Sequence, residues 1–289
     1  MKVLLLGARG QLGTDLRLSG AAHEIVAPLR EVLDVTDAGA VRQAIADARP
    51  DVVINCTAFH NVPLCETEPE RAFRVNAIAV RDLATACAEL DTRLVTFSSD
   101  YVFGGDQATP YTEDAIPQPL QVYGSTRLAG EHAARAAAPE HAIIIRTCGL
   151  YGSAGARSKG GNFVDNRVAE ARAGRDLEMA SEQVVSPTST HDLARATWQL
   201  LAAPGLTPGL YHLVNEGACT WYEFTQAIFT LVHAKGAVHP VDRRARTGAM
   251  RRPRYSALAN IRARALGVTL RPWREALTAY LHAAHPEVA

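Results

Sequence analysis

The sequence predicts an α/β protein built on a Rossmann-type doubly wound parallel sheet, with a smaller lobe at its C-terminal end. Three observations predict it. A glycine-rich turn, Gly7, Gly10 and Gly13, follows the first apolar run, and strand-like and helix-like segments alternate through the first half. The strand-like runs are also apolar throughout rather than at every second residue. Unbroken apolar runs suit strands covered by helices on both faces, and the alternation is that of right-handed strand–helix–strand crossovers.

Val3 to Leu6 is the first strand, and Leu12 to Leu18 continues as a helix. Ile25 to Ala27 reads as a second strand, followed by a helix face of Val41, Ala44, Ile45 and Ala48 at i, i+3, i+4, i+7 spacing. Val52 to Ile54 is a third strand, with a long helical stretch from about Glu68 to Glu89 after it. Arg93 to Phe97 and Ile143 to Ile145 are later strands. The second half is less regular. Val184 to Pro187 is extended, His191 to Leu201 helical, and Gly209 to Val214 a strand. Thr220 and Glu223 fit a capping box for the helix between them and beyond, and Trp273 to His282 forms the last helix. Residues 1–150 are expected to form the dinucleotide-binding domain. Residues 151–289 are expected to form mainly a substrate-binding lobe, with some segments returning to the first domain.

Composition narrows the class. The chain has 289 residues, 47% hydrophobic and 21% charged, with 30 Lys+Arg against 30 Asp+Glu. A zero balance argues against nucleic acid or an anionic membrane as partner, because both select a basic excess. The local basic run Arg243, Arg244 and Arg246, with Arg251 and Arg252, is a solvated surface or a site for a small anion. The first apolar run is too short for a signal-peptide core, and no segment has the length of a membrane span. Five dispersed cysteines without a Cys-x-x-Cys pair suggest neither a disulfide scaffold nor structural zinc, so a cytoplasmic location with reduced thiols is expected.

The glycine turn carries the first chemistry. Glycine allows positive φ and close backbone approach to a pyrophosphate, and a helix N-terminus offers free amides. An NAD site normally places an acid at the tip of the second strand, but here the chain runs Pro28-Leu29-Arg30. Arg30, with Arg9 inside the turn, suits the 2′-phosphate of NADP(H), while Glu31 keeps NAD(H) open. Asp34 and Val35, just beyond, lie on the adenine side.

The densest chemistry runs from Phe97-Ser98-Ser99-Asp100-Tyr101-Val102-Phe103 to Val122-Tyr123-Gly124-Ser125-Thr126-Arg127-Leu128-Ala129-Gly130-Glu131. With Glu66-Thr67-Glu68-Pro69-Glu70, Val75-Asn76-Ala77, Asn162-Phe163-Val164 and Ser186-Pro187-Thr188, these segments resemble the dTDP-4-dehydrorhamnose reductase family. That family lies within the extended short-chain dehydrogenase/reductase superfamily. The resemblance spans nearly the whole chain. It implies that Tyr123 donates a proton to the substrate C4 oxygen, that Ser99 hydrogen-bonds the same oxygen, and that the cation four residues on, Arg127, supports the phenol. It further implies cofactor contacts from Gly10, Gln11 and Leu12 at the phosphates and from Asp34 and Val35 at the adenosine. Thr57, Ala58 and Phe59 would follow after the third strand, with Phe97 on the cofactor side. Ser99 and Asp100 would fall at the substrate.

Two positions depart from the family. Arg127 stands where the family has Lys, and a planar fork is not a conservative replacement for an ammonium. Gly149 stands where many members have a substrate-stacking Trp, so it enlarges the sugar pocket or removes a contact. Asp100 and Glu113 are equally readable as turn caps. His60, His191 and His212 read as structural, and the three tryptophans as packing residues. Some relatives bind a divalent cation at a dimer contact, with Asp15 as the one counterpart here; no metal site is read from the sequence, and a homodimer is left open. The expected function is an NADPH-preferring reductase of a nucleotide-linked 4-keto-6-deoxy sugar in dTDP-rhamnose biosynthesis. The alternatives are a non-catalytic binding subunit and a nucleotide-sugar epimerase or dehydratase that recycles NAD.

Overall fold

Strand β1 (Lys2–Leu6) lies second from one edge of a six-stranded sheet and feeds helix α1 (Gln11–Ser19) through the glycine turn. A computed structural model describes residues 1–155, 160–242 and 250–286. The residues Arg243, Arg244 and Arg246 of the basic run lie outside it, as do residues 156–159 of the glycine-flanked loop. Strand β2 (Glu24–Val26) is an edge strand beside β1, and helix α2 (Ala38–Ala48) is capped by the Asp37 side chain. Strand β3 (Val52–Asn55) returns on the other side of β1.

The stretch expected as one helix from about Glu68 to Glu89 is three pieces, and a separate short helix precedes it. α3 (Val62–Thr67) and α4 (Pro69–Phe73) each begin with a proline in their first turn, where its missing amide is harmless. A π-helical turn (Arg74–Ile78) then leads into α5 (Ala79–Glu89). Strand β4 (Arg93–Ser99), helix α6 (Val122–Ala137) and strand β5 (Ala142–Thr147) complete the regular half.

Short strands β6 (Leu150–Tyr151), β7 (Leu177–Ala180), β8 (Val184–Val185) and β9 (Thr188–Ser189) surround α7 (Phe163–Arg172). Helix α8 (Thr190–Ala202) follows and packs on α1, and strand β10 (Gly209–His212) then joins the large sheet beside β5. The second half therefore contributes both a helix and a strand to the first. Strand β11 (Cys219–Thr220), helix α9 (Trp221–Leu231), strand β12 (Val238–Val241), α10 (Ile261–Ala265) and α11 (Trp273–Ala284) close the chain. Thr220 and Glu223 form the expected capping box on α9.

The large sheet runs β2-β1-β3-β4-β5-β10, and all its pairings are parallel. Its two faces are read off alternate residues. Val3, Leu5, Val52 and Ile54 face the layer that includes α1 and α8, while Leu4, Leu6, Val53 and Ile144 face α2, α5 and α6. Strand order reverses between β1 and β3. The crevice beyond the carboxyl ends of those strands is where ligands bind in open α/β sheets. A separate core in the second half gathers Tyr151, Val164, Phe224, Ile228, Trp273 and Leu277 beneath α7, α9 and α11.

Candidate active site

At the β1 carboxyl end the glycines have distinct duties. Gly7 has φ +80°, and a Cβ on it would stand 3.0–3.2 Å from the Cys56 and Thr57 backbone. It lets β1 and β3 release their chains side by side. Gly13 is buried under the turn, where a Cβ would lie 2.3 Å from the Gly7 carbonyl. Gly10 is exposed and caps α1 without a side-chain hydrogen bond; a Cβ there would meet only the Gly7 oxygen, at 3.3 Å. The result is an open cradle before the first-turn amides, which fits a dinucleotide pyrophosphate. Leu12 is buried with its backbone in that first turn, Gln11 is half-buried beside it, and Arg9 is exposed.

Arg30 is exposed and pairs with Asp34 at 3.5 Å. Asp34 Oδ1 also accepts the Thr36 amide at 2.9 Å and its hydroxyl at 2.8 Å. Those bonds, with Arg30 beside them, hold the Asp34 carboxyl below its usual range. Val35 is half-buried against the α2 side of the core. The loop after β3 is fixed from both ends: Thr57 bonds Asn55 Oδ1 through amide and hydroxyl (3.0 and 2.6 Å), and Phe59 exchanges two bonds with the Asn76 side chain (2.8 and 2.9 Å). Ala58 lies between these clamps. Phe97 sits within the core beside Leu12 and Val95, beneath the turn.

β4 ends at Ser99 and α6 begins at Val122, so the serine and Tyr123 approach from two elements. The Glu66 carboxylate accepts the Val122 amide at 2.8 Å, placing a negative charge at the N-terminus of α6. Gly124 lets the helix close on the β4 exit, since a Cβ there would stand 2.0 Å from the Tyr101 carbonyl. Tyr101 and Tyr123 meet edge to face at 6.0 Å. One turn on, Arg127 is 6% exposed, with Nη1 3.5 Å from Asn76 Oδ1. Burial pushes the Tyr123 phenol above its ordinary range; the Arg127 charge pulls it down, Asp100 pushes it up, and a hydrogen bond with Ser99 lowers it. Ser99, Tyr123 and Arg127 are thus brought together.

Asp100 is only 3% exposed. Ser99 Oγ lies 2.9 Å from its Oδ1, while Ser256 Oγ and Cys148 Sγ bond its Oδ2 at 2.6 and 3.1 Å. It ties the ends of β4 and β5 to the segment before α10. Gly149 follows Cys148 with φ +55°; a Cβ there would be 3.2 Å from Pro187 Cα and 3.4 Å from the Trp221 ring. Arg252 is exposed near this rim, and its charge lowers the Tyr101 phenol against burial, the larger effect.

The neighbourhood holds groups that motif reading passed over. Asn76, 1% exposed, bonds the loop after β3, Thr126 at 3.0 Å and Arg127. Glu131 and Arg146 form a buried two-pronged ion pair (2.8 and 2.6 Å), and Ser98 also bonds Glu131. The signal for this pair was available: an arginine closing the apolar run Ile143-Ile144-Ile145 needs a buried acid. Asn76, Thr96, Ser98, Arg127 and Glu131 line a small cleft between β4, α6 and the π-helical turn. Glu113 caps, as one reading held, by accepting the His212 and Arg262 amides at 3.1 Å. Asp15 spends its carboxylate on Thr190, and no cluster of three or more His, Cys, Asp or Glu forms among the described residues. No helix among the described residues is long and apolar enough to cross a membrane.

Comparison with known proteins gives one answer. The family model described as RmlD substrate binding domain matches residues 1–285. Spore coat polysaccharide biosynthesis protein SpsK of Bacillus subtilis is 36% identical over 282 residues, covering 97% of this chain and 96% of its own. A dTDP-4-dehydrorhamnose reductase of Mycolicibacterium smegmatis is 39% identical over 283 residues, covering 96% and 84%. The crystal structure of a Bacillus anthracis dTDP-4-dehydrorhamnose reductase in complex with NADP has a TM-score of 0.89 at 32% identity, covering 97% and 98%. The chain belongs to the RmlD family of dTDP-4-dehydrorhamnose reductases.

Proposed function

We propose that this protein is an NAD(P)H-dependent reductase of a nucleotide-linked 4-keto-6-deoxy sugar, dTDP-4-dehydrorhamnose first among them, with NADPH preferred. The observation that carries the reading is the Tyr123 phenol held between Ser99 and the Arg127 charge. The family's named reductases and the NADP-bound relative support the substrate class and the cofactor.

When bound, the nicotinamide supplies the hydride. The rest falls to the chain. Gly7, Gly10 and the first turn of α1 would hold the cofactor pyrophosphate, and Arg9 and Arg30 would receive a 2′-phosphate, Arg30 giving up its contact with Asp34. Ser99 donates to the carbonyl oxygen, and Tyr123 passes its proton to that oxygen as it becomes an alcohol. Arg127 stabilises the phenolate left behind, which is the task the expected lysine would perform. Residues 1–150, with α8 and β10, carry the cofactor, and most of 151–289 shapes the sugar-nucleotide side. The five cysteines are all free thiols, which suits a cytoplasmic enzyme.

The test is a panel of dTDP-linked 4-keto sugars assayed with NADPH and NADH in parallel, following nicotinamide absorbance. Turnover with dTDP-4-dehydrorhamnose and a higher kcat/KM for NADPH are expected. Cofactor binding without turnover on any keto sugar would establish the binding-subunit reading instead.

A further inference from the structure

Ser99 Oγ carries one hydrogen and has three claimants for it: Asp100 Oδ1, the Tyr123 phenol oxygen and a substrate carbonyl. The hydroxyl lies 2.9 Å from Asp100 Oδ1 and accepts the Tyr101 amide at 3.2 Å. An ionised Asp100 only accepts, so the serine hydrogen would have to point at it. A carbonyl oxygen beside Ser99 would then meet a lone pair instead of a donor. The count closes when the proton sits on Asp100. Its O–H donates to Ser99 Oγ, the Tyr101 amide fills the other lone pair, and the serine hydrogen is free for the Tyr123 oxygen and, once substrate is bound, for the carbonyl beside it.

We propose that Asp100 is a positioning residue that works in its protonated form, donating to Ser99 so that Ser99 can donate to the substrate carbonyl. This rests on the reading of Ser99 and Tyr123 as the groups at the carbonyl. It also changes the role the family resemblance gave Asp100, whose carboxyl faces protein on every side that its bonds define. The pattern around it is that of a carboxylic acid: Oδ2 receives two donors, Ser256 at 2.6 Å and Cys148 at 3.1 Å, while Oδ1 faces a hydroxyl that can accept. All three bonding side chains are neutral. A buried carboxylate without a cation in contact is costly, and that cost is removed by protonation.

The charged and titratable groups around it are few. Tyr101 follows it in the turn, Tyr123 faces it from α6 with Arg127 one turn behind, and Cys148 meets it from the end of β5. Arg252, from the segment that carries Ser256, acts on the neighbouring Tyr101. Burial raises the Asp100 ionisation above the usual carboxylate range, against the pull of its hydrogen bonds with Ser256, Cys148, Ser99 and its own backbone.

The experiment compares wild type, Asp100→Asn and Tyr123→Phe in the holoenzyme. In wild type, kcat falls by about tenfold per pH unit as pH rises past the Asp100 ionisation, before any loss from Tyr123. Asp100→Asn loses that first fall and keeps the second, because an amide N–H donates to Ser99 at every pH. Infrared spectroscopy shows a protonated-carboxyl stretch in wild type that disappears at the same pH as the first fall. That wild-type titration stands even if the Asn variant does not fold. An unchanged kcat profile in Asp100→Asn, or a wild-type spectrum without such a band, overturns the proposal and leaves the proposed function in place. A Tyr123→Phe enzyme that still turns over removes the underlying reading instead.

Discussion

Arg127 occupies a place where position matters more than charge alone. Its guanidinium is buried, lies 3.5 Å from Asn76 Oδ1 and lowers the Tyr123 phenol against the larger effect of burial, and its Nε has no hydrogen-bond partner. A flat, wide cation is thus held where an ammonium would also fit. Arg127→Lys is expected to keep kcat within about tenfold, and Arg127→Ala to lower it by about 100-fold or more. Removing the cation also moves the Tyr123 ionisation upward, so a kcat–pH profile of the Ala variant is shifted to higher pH. Equal kcat in all three proteins would take Arg127 out of the mechanism. The motif Tyr-x-x-x-Arg made this residue visible in the sequence. Its partner Asn76 was visible only as part of Val75-Asn76-Ala77, with nothing local to say that its amide would hold α6.

Helix α6 delivers two reacting-site residues because it can lie unusually close to its neighbours. Gly124 faces the Tyr101 carbonyl, and a Cβ on Gly130 would stand 2.2 Å from the Asn76 carbonyl. Both contacts are to backbone, so neither can be relieved by turning a side chain. Gly130→Ala must push α6 away from the π-helical turn that carries Asn76. The expected cost is about 1–3 kcal/mol of stability, typical of overpacking, together with a lower kcat because Arg127 moves with the helix. Thermal melts and initial rates on one preparation check both. A variant that keeps both its melting temperature and its rate would show that the helix has room. Helical character from about Glu68 to Glu89 was legible; its division into α4, a π-helical turn and α5 was not, because the extra residue of the π turn shows only in three dimensions.

Across the whole molecule, the second half locks the first. His212 ends β10, fully buried, with Nδ1 3.2 Å from the Ala259 carbonyl. Burial, and then the Arg146 charge, lower its ionisation from 6.5 to about 3. The unfolded chain takes up the proton near 6.5 while the folded one refuses it until about 3. Stability from this group is therefore complete above the first value and is lost as pH falls towards the second, by at most about 5 kcal/mol. The melting temperature should drop through that window, and His212→Asn should flatten the slope. A slope that the variant leaves unchanged would assign acid sensitivity elsewhere. The doubly wound half was readable because each strand advertised itself in unbroken apolar runs. The return of β10 depends on pairing across 66 residues, and those of α8 to α1 and of Ser256 to Asp100 on contacts 175 and 156 residues apart, which no local pattern encodes. Gly149 shows how such a contact constrains a single position. Its left-handed backbone, with Pro187 Cα 3.2 Å and the Trp221 ring 3.4 Å from where a Cβ would stand, strains any side chain placed there. Gly149→Ala therefore has to be absorbed by a shift of the Pro187 segment, so the two positions can change freely only together.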